Sequence, residues 1–256
     1  MKRHFLALAA AICGGIPAAA ADLYVEPDPV VVPVGGWYLR GYLGMSNQRL
    51  GSLENADFSL APFHELVDEG GFNSAPLGGI GVGYQFNDWL RMDGIVEYRG
   101  KADFSALDRY TYNTDASGNP IWEGTNDYDG AKSEWLLMAN AYVDLGDWYG
   151  VVPYIGAGIG ASRNTISGFR DVNVPKLGLA TADSDPTWNF AWALHAGVGY
   201  KASDRLTLDV GYSYMNLGDA KTKEIRSYDG KYTSAPMHFK DITSHDFKVG
   251  LRYALE

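Results

Sequence analysis

His195, Asp209 and Ser213 are the residue types of a hydrolytic catalytic triad. In a triad a histidine removes the proton of a serine hydroxyl while a carboxylate orients the imidazole ring. Their spacing predicts that the three side chains point to one face of a β-hairpin. The GxSxG motif that presents a serine nucleophile in many hydrolases is absent from the sequence. We therefore interpret the three residues as part of a polar network and predict that the chain is not an enzyme.

Three further histidines could bind haem or a metal ion. His64, His238 and His245 lie on the first and the last of the long loops that are described below. Their spacing matches no metal-ligand motif, and histidines on loops are mostly solvated. We therefore predict no cofactor. Binding of haem or another ligand by these residues is kept as an alternative.

The stretch from Trp188 to Leu217 has the clearest structural pattern, a period of two residues on each side of a short turn at 202–204. This pattern is typical of a β-hairpin. One face is apolar, with aromatic residues at its ends and aliphatic residues between them. The opposite face carries glycine, histidine, lysine, arginine and aspartate. The residues predicted to form an aromatic girdle, one of them from the last strand, are Trp188, Trp192, Tyr200, Tyr212, Tyr214 and Tyr253.

Pairing the two arms of this hairpin about Ser203 places Trp192 opposite Tyr214. The segment from Trp192 to Tyr200 would extend roughly 20 Å along a membrane normal, given the usual rise and tilt of a strand. An apolar band of about that height with aromatic edges is typical of the outer face of a transmembrane β-barrel. A hairpin of a soluble β-sandwich is the alternative.

Charged residues on the opposite faces of the strands decide between these two folds. In the third strand Arg91, Asp93, Glu97, Arg99 and Lys101 alternate with largely apolar residues. Burying five charges in a soluble core would cost more than the packing returns, whereas inside a barrel they can pair and meet water. The residues predicted to form a charge network in the lumen are Arg91, Asp93, Glu97, Arg99, Glu134, Asp144, His195, Lys201, Arg205, Asp209, Lys248 and Arg252.

The complete chain predicts an all-β fold, an eight-stranded antiparallel transmembrane β-barrel with four long extracellular loops and three short periplasmic turns. The predicted strands are 37–45, 77–86, 89–104, 132–145, 153–162, 188–201, 205–217 and 245–255. Connections at 87–88, 146–152 and 202–204 are short, and those at 46–76, 105–131, 163–187 and 218–244 are long. This alternation and the even number of strands are typical of outer-membrane barrels, whose termini both lie in the periplasm.

The N-terminal segment is predicted to direct export. Residues 1–21 have the pattern of a signal peptide, with two basic residues before an apolar run and four alanines at the end. Residues 22–35 contain three prolines and are predicted to form a periplasmic leader, so that the barrel covers 36–256. Without residues 1–21 the chain has no cysteine and carries 19 basic against 31 acidic residues. This net charge of −12 argues against nucleic acid as a partner.

Four segments resemble a known family: ADLY at 21–24, GWYLRGYLG at 36–44, LTLDVGYSYMNLGDA at 206–220 and FKVGLRY at 247–253. Similar segments occur in the small eight-stranded outer-membrane proteins. These are the OmpA-like, opacity-type surface antigens, also called porin family or outer membrane β-barrel domain proteins. The resemblance covers the chain after the signal segment. It is specific for fold and location but not for an activity, because members share the barrel and differ in their loops.

The resemblance implies a monomer in the outer membrane of a Gram-negative bacterium, inserted by the barrel assembly machinery and in contact with lipid and lipopolysaccharide. Its expected role is structural or surface-exposed, as an antigen or adhesin. A haem-binding or other ligand-binding surface protein and a small porin are the alternatives. Tyrosines beside asparagine, serine and glycine give the loops a composition that suits recognition of a host or environmental surface ligand.

Overall fold

A computed structural model of the chain describes residues 35–255. The predicted signal peptide (1–21) and all but the last residue of the predicted leader (22–35) lie outside these residues. The described part is mostly β-strand, and its one helical segment is a short 3₁₀ turn at Ala56–Ser59. No helix in residues 35–255 is long and apolar enough to cross a membrane.

Eight long strands form a closed antiparallel ring. They are β1 (Gly36–Arg49), β4 (Ala75–Gln85), β5 (Leu90–Thr111), β6 (Gly124–Asp144), β7 (Val151–Asn173), β9 (Thr187–Lys201), β10 (Leu206–Ser227) and β12 (His238–Ala254). Each pairs with the next of these strands along the chain. The last strand also pairs with the first, where Tyr38 lies opposite Ala254. The predicted eight-stranded barrel is thereby confirmed.

Four shorter strands occupy regions that were predicted to be long loops. They are β2 (Ser52–Glu54), β3 (Phe63–Phe72), β8 (Gly178–Asp185) and β11 (Thr233–Ser234). β3 pairs with β5, and β8 pairs with both β7 and β10. The ring strands are also longer than predicted: β5 has 22 residues, about twice the number that a tilted strand needs to cross a bilayer. The regions predicted to be long loops therefore contain strands, because the barrel wall continues beyond the membrane.

The outer face of the ring is an apolar belt. Leu43, Ile80 and Val210 are 73%, 70% and 61% exposed, while the residues that alternate with them point inward. Alternation follows from the two-residue period of a strand, which sends successive side chains to opposite faces. Large exposed aliphatic side chains of this kind are what a barrel presents to the hydrocarbon of a membrane.

The predicted girdle residues all lie on this outer face. Trp188, Tyr200 and Tyr253 are exposed, and Trp192, Tyr212 and Tyr214 are half-buried between neighbouring side chains. The rings of Trp192 and Tyr214 are 5.7 Å apart. Tyr98 and Trp135, which were not among the predicted girdle residues, extend the girdle around the extracellular edge with ring centroids 4.8 Å apart.

The register of the β9–β10 hairpin differs from the predicted one by two residues. Trp192 pairs with Asn216, and Leu194 pairs with Tyr214. The connection is longer by one residue than predicted, because Arg205 belongs to the turn and β10 begins at Leu206. A shift of two residues leaves each side chain on the predicted face, whereas a shift of one would have inverted them all.

A β-bulge in β5 changes which residues point inward. The pairing of β5 with β6 is interrupted between Arg99 and Ala102. Below the interruption the odd-numbered residues point inward, and above it Ala102 and Phe104 do so. Lys101, predicted to face the lumen, is exposed for this reason.

The two faces of β10 should respond differently to an introduced charge. Val210→Arg places a cation in the apolar belt and should lower the free energy of unfolding by about 2–4 kcal/mol. Thr207→Arg should cost about 1 kcal/mol or less, because Thr207 lines a cavity of about 540 Å³ at the periplasmic end of the barrel. Reversible urea unfolding in lipid vesicles measures both values. Equal costs for the two variants would show that the faces are assigned incorrectly.

Candidate functional site

The interior of the barrel contains two layers of paired charge. The layer nearer the extracellular side, here called the upper ion cluster, has three cations and three anions. They are Arg99, Lys132 and Lys248 with Glu97, Glu134 and Asp246. Below it, the lower ion cluster also has three of each sign. They are Arg40, Arg91 and Arg252 with Asp93, Asp144 and Asp209.

Arg99 is the centre of the upper ion cluster. It is fully buried, and its guanidinium contacts three carboxylates: Glu97 at 2.8 Å, Glu134 at 2.9 Å and Asp246 at 2.6 Å. Lys132 pairs with Glu134, and Lys248 lies 2.7 Å from Glu97. A buried charge is stable only when it is paired and hydrogen-bonded, and each charge of this cluster has an opposite partner.

The lower ion cluster consists of three separate arginine–aspartate pairs. Arg40 contacts Asp93 at 2.7 Å, Arg91 contacts Asp144 at 3.0 Å, and Arg252 contacts Asp209 at 2.8 Å. Aromatic rings fill the space between the pairs. The guanidinium of Arg91, for example, lies 4.1 Å from the centre of the Tyr142 ring. Such contacts stabilise a cation that is removed from water.

The candidate triad is only partly assembled. His195 lies 2.8 Å from the hydroxyl of Ser213, and its Nε2 lies 3.1 Å from Oδ1 of Asn140. Asp209, however, accepts its hydrogen bonds from Arg252 and forms none with His195 among the described residues. The cavity beside His195 has a volume of only about 20 Å³, enough for a water molecule but not for a substrate.

An aromatic layer closes the barrel above the upper ion cluster. Phe72, Phe104, Phe169 and Phe239 are buried, and the rings of Phe104 and Phe239 pack edge to face at 4.9 Å. This layer could not be predicted from the sequence, because Phe72, Phe169 and Phe239 fall in predicted loops and Phe104 ends a predicted strand. Only the extension of β5, β7 and β12 beyond the membrane brings these rings into one interior.

Two residues predicted for the lumen lie elsewhere. Lys201 and Arg205 are exposed at the β9–β10 turn on the periplasmic side. Lys201 donates a hydrogen bond to Asp147 at 2.7 Å, which lowers the pKa of that carboxyl. β9 ends at Lys201. Alternation predicts the direction of a side chain only within a strand, so the predicted inward direction of Lys201 and Arg205 does not hold at the turn. The predicted residues that do line the interior are Arg91, Asp93, Glu97, Arg99, Glu134, Asp144, His195, Asp209, Lys248 and Arg252.

Three members of the two clusters were absent from the predicted network. Asp246 alternates with Lys248, and that pattern alone places it on the inward face of the last strand. Arg40 lies in β1, where aromatic and glycine residues on both faces hide the alternation. Lys132 was predicted to begin its strand, and only the extension of β6 back to Gly124 places it well inside the barrel wall.

The three histidines considered for haem or metal binding do not come together. His64 lies inside the extracellular end, with Nε2 at 2.9 Å from Asp108. His238 lies opposite Glu54 in the pairing of β12 with β2. His245 is hydrogen-bonded to the Tyr212 hydroxyl at 2.6 Å on the outer face. Within residues 35–255 no three histidine, cysteine, aspartate or glutamate side chains are grouped so as to hold a metal ion.

Breaking the upper ion cluster should destabilise the barrel strongly. Asp246→Asn removes the charge that faces Arg99 and Lys248, and it should lower the free energy of unfolding by about 3–5 kcal/mol. The matched control is Asp185→Asn, which removes the anion of an exposed pair with Lys221 and should cost about 1 kcal/mol or less. Urea unfolding in vesicles measures both variants. A cost for Asp246→Asn as small as that of the control would contradict the importance of the cluster.

Comparison with known proteins places this architecture in a family. The sequence profile described as "Outer membrane protein beta-barrel domain" matches residues 6–254. An uncharacterized protein of Brucella abortus (strain 2308) is 33% identical over 283 aligned positions, which cover 99% of each chain. The outer membrane protein PagN of Salmonella typhimurium is 27% identical and covers 69% of this chain and 72% of its own. A putative adhesin of Rickettsia prowazekii is 26% identical with the same coverage.

The match to the family extends over nearly the whole chain and agrees with the closed ring of strands, the apolar outer belt and the charged interior. The exposed aliphatic face requires a lipid environment, and lipid of the outer membrane supplies it. The chain therefore belongs to the outer membrane protein β-barrel family and is an integral protein of the outer membrane.

Proposed function

We propose that this protein is a non-catalytic, adhesin-like protein of the bacterial surface, and that the extracellular end of the barrel carries its function. The observation that supports this most directly is the filled interior. Both ion clusters and the aromatic layer lie across the lumen, one above another. Eight strands enclose a space about wide enough for side chains alone, so the barrel serves as a support for what it presents outside.

The extracellular hairpins present exposed apolar and aromatic side chains. Tyr112 and Ile121 lie in the connection between β5 and β6. Leu177 lies at the tip between β7 and β8, and Tyr228 and Tyr232 lie beyond the end of β10. All five are exposed, and Leu177 and Tyr228 are 94% and 86% accessible. Tyrosine and leucine at exposed tips are costly in water but favourable in a protein–protein contact.

Similarity to the Rickettsia protein that is named a putative adhesin supports the same role, although the alignment covers 69% of this chain.

We infer that residues 1–21 direct export, that 22–35 form a periplasmic leader and that the barrel assembly machinery inserts the barrel. We also infer that the protein acts as a monomer. Its acidic extracellular residues would meet lipopolysaccharide phosphates through bridging divalent cations. The partner outside the cell is expected to be a protein surface on a host or in the environment.

Adhesion should depend on the apolar tips. A non-adherent laboratory bacterium that displays the protein should bind cultured epithelial cells more than the empty strain does. The triple variant Leu177→Ser, Tyr228→Ser, Tyr232→Ser should lose most of this gain, because the tips would no longer bury apolar area on contact. The control is Tyr149→Ser, which changes a fully exposed tyrosine in the β6–β7 turn on the periplasmic side.

Counting attached bacteria at equal surface expression gives the result. Attachment equal to that of the empty strain would contradict the adhesin proposal. Equal loss in the triple variant and in Tyr149→Ser would contradict the role of the tips.

A small porin is the competing function, and the filled interior argues against it. We expect the folded monomer to form no stable ion channel in a planar bilayer at moderate salt, because an ion would have to displace paired charges such as Arg99 and Asp246 and then cross the aromatic layer. Reproducible open steps of porin size from monodisperse protein, lost on thermal unfolding, would make the small porin the better assignment.

A further inference from the structure

A cavity of about 290 Å³ lies at the extracellular end of the barrel, outside the aromatic layer. Apolar side chains of Ile225 and Met237 line one part of it, and the rings of Phe58, Tyr110 and Tyr128 line another. Elements that are far apart in the chain therefore build one pocket. Its volume lies at the lower end of the range of small-molecule sites, which suits a small group better than a macrocycle as large as haem.

Two of the carboxylates in this cavity are held by the protein itself. Asp108 accepts hydrogen bonds from the Tyr128 hydroxyl at 2.7 Å and from the backbone and side chain of Asn126, and it lies 2.9 Å from Nε2 of His64. Asp57 accepts a hydrogen bond from the backbone of Ala235 at 2.9 Å. These contacts fix the loop that contains the 3₁₀ turn against β5, β6 and the β11–β12 segment.

Asp171 is different, because its carboxylate has no hydrogen-bond donor and no ion-pair partner within residues 35–255. It projects from β7 into the cavity and is half-buried. Burial, with the nearby charge of Asp108, raises the pKa of Asp171 to about 7. A carboxylate in this position has lost part of its water without gaining a protein donor, and a cation would supply what it lacks.

We propose that this cavity binds an organic cation, namely an ammonium or guanidinium group carried by a small amine or by a basic side chain of another protein. Asp171 would accept a charge-assisted hydrogen bond from it, and the faces of Phe58 and the tyrosines would contact its apolar and cationic surface. This site shares Tyr112 with the exposed extracellular residues described above, but Leu177, Tyr228 and Tyr232, which the adhesion test changes, do not line it.

The geometry favours an organic cation over a metal ion. Asp108 already accepts several hydrogen bonds, and no group of three metal-ligating side chains forms in the described part of the chain. A metal ion would also gain little from aromatic walls. The ring of Phe58 is stacked on His64 at 4.1 Å and lies 6.4 Å from that of Tyr128, so aromatic surface is a built feature of the cavity.

Binding should therefore strengthen with rising pH. The titratable groups that line the cavity around Asp171 are Asp57, His64, Asp108, Tyr110, Tyr112 and Tyr128. Between pH 6 and pH 8 Asp171 loses its proton and becomes the anion that attracts the ligand. Asp171→Asn should remove most of this pH dependence, because the amide side chain of asparagine does not titrate.

The test uses the full barrel refolded in an uncharged detergent and isothermal titration at pH 8. The probes are agmatine, as a free amine, and the capped peptide Gly-Arg-Gly, as a basic side chain. Gly-citrulline-Gly, which has the same shape without the charge, is the control ligand. Asp171→Asn should weaken binding by about tenfold or more, as expected for the loss of one charged hydrogen-bond partner. Asp129→Asn, which alters an exposed carboxylate near Arg170, should leave binding unchanged.

The outcomes separate the two sources of the cation. Tighter binding of agmatine supports a free amine, and tighter binding of the arginine peptide supports a partner side chain. Binding of neither above the level of the citrulline peptide would overturn the proposal. So would equal affinities of the unmodified protein and Asp171→Asn while Asp171→Asn retains its unfolding midpoint.

Discussion

The contact of Arg99 with Glu97, Glu134 and Asp246 is the interaction on which the rest of the structure depends. A barrel in lipid must keep apolar side chains on its outer face. This reverses the arrangement of a soluble protein and leaves polar residues for the interior. In a lumen this narrow the charges cannot all reach bulk water, so they must neutralise one another. Two clusters with three charges of each sign meet that requirement.

Balanced charge inside and apolar surface outside together determine where function can lie. The aromatic layer of Phe72, Phe104, Phe169 and Phe239 adds a second closure, built from strands that extend past the membrane. With the interior filled, the part of the barrel that remains accessible from outside the cell is its extracellular end. There the same wall forms both the exposed hairpin tips and the cavity that contains Asp171. Rigid strands rather than free loops hold these features in place, which favours defined recognition.

The sequence predicted those parts of the molecule that the membrane dictates. Within the bilayer one face of each strand must be apolar, so the two-residue period of the sequence is unambiguous there. The predicted register of the β9–β10 hairpin was wrong by two residues, yet every side chain stayed on its predicted face. Beyond the bilayer both faces of a strand can be polar, so the alternation of apolar and polar residues no longer marks a strand. For this reason neither the inward position of Lys132 nor the aromatic layer was predicted. The bulge after Arg99 and the contact of His64 with Asp108, 44 residues apart, depend on pairing that no local pattern encodes.

The closed interior is the central claim, and thiol accessibility tests it most directly. Cys13 is the one cysteine of the chain and lies in the predicted signal peptide, so a single cysteine can be placed anywhere in the barrel. Ser244→Cys changes a fully buried residue beside Asp246, and Ser203→Cys changes an exposed turn residue as the control. With a small charged thiol reagent on folded protein, we expect rapid labelling of Ser203→Cys, and labelling of Ser244→Cys only after unfolding in urea. Labelling of Ser244→Cys in the folded barrel at the rate of the control would contradict a closed interior.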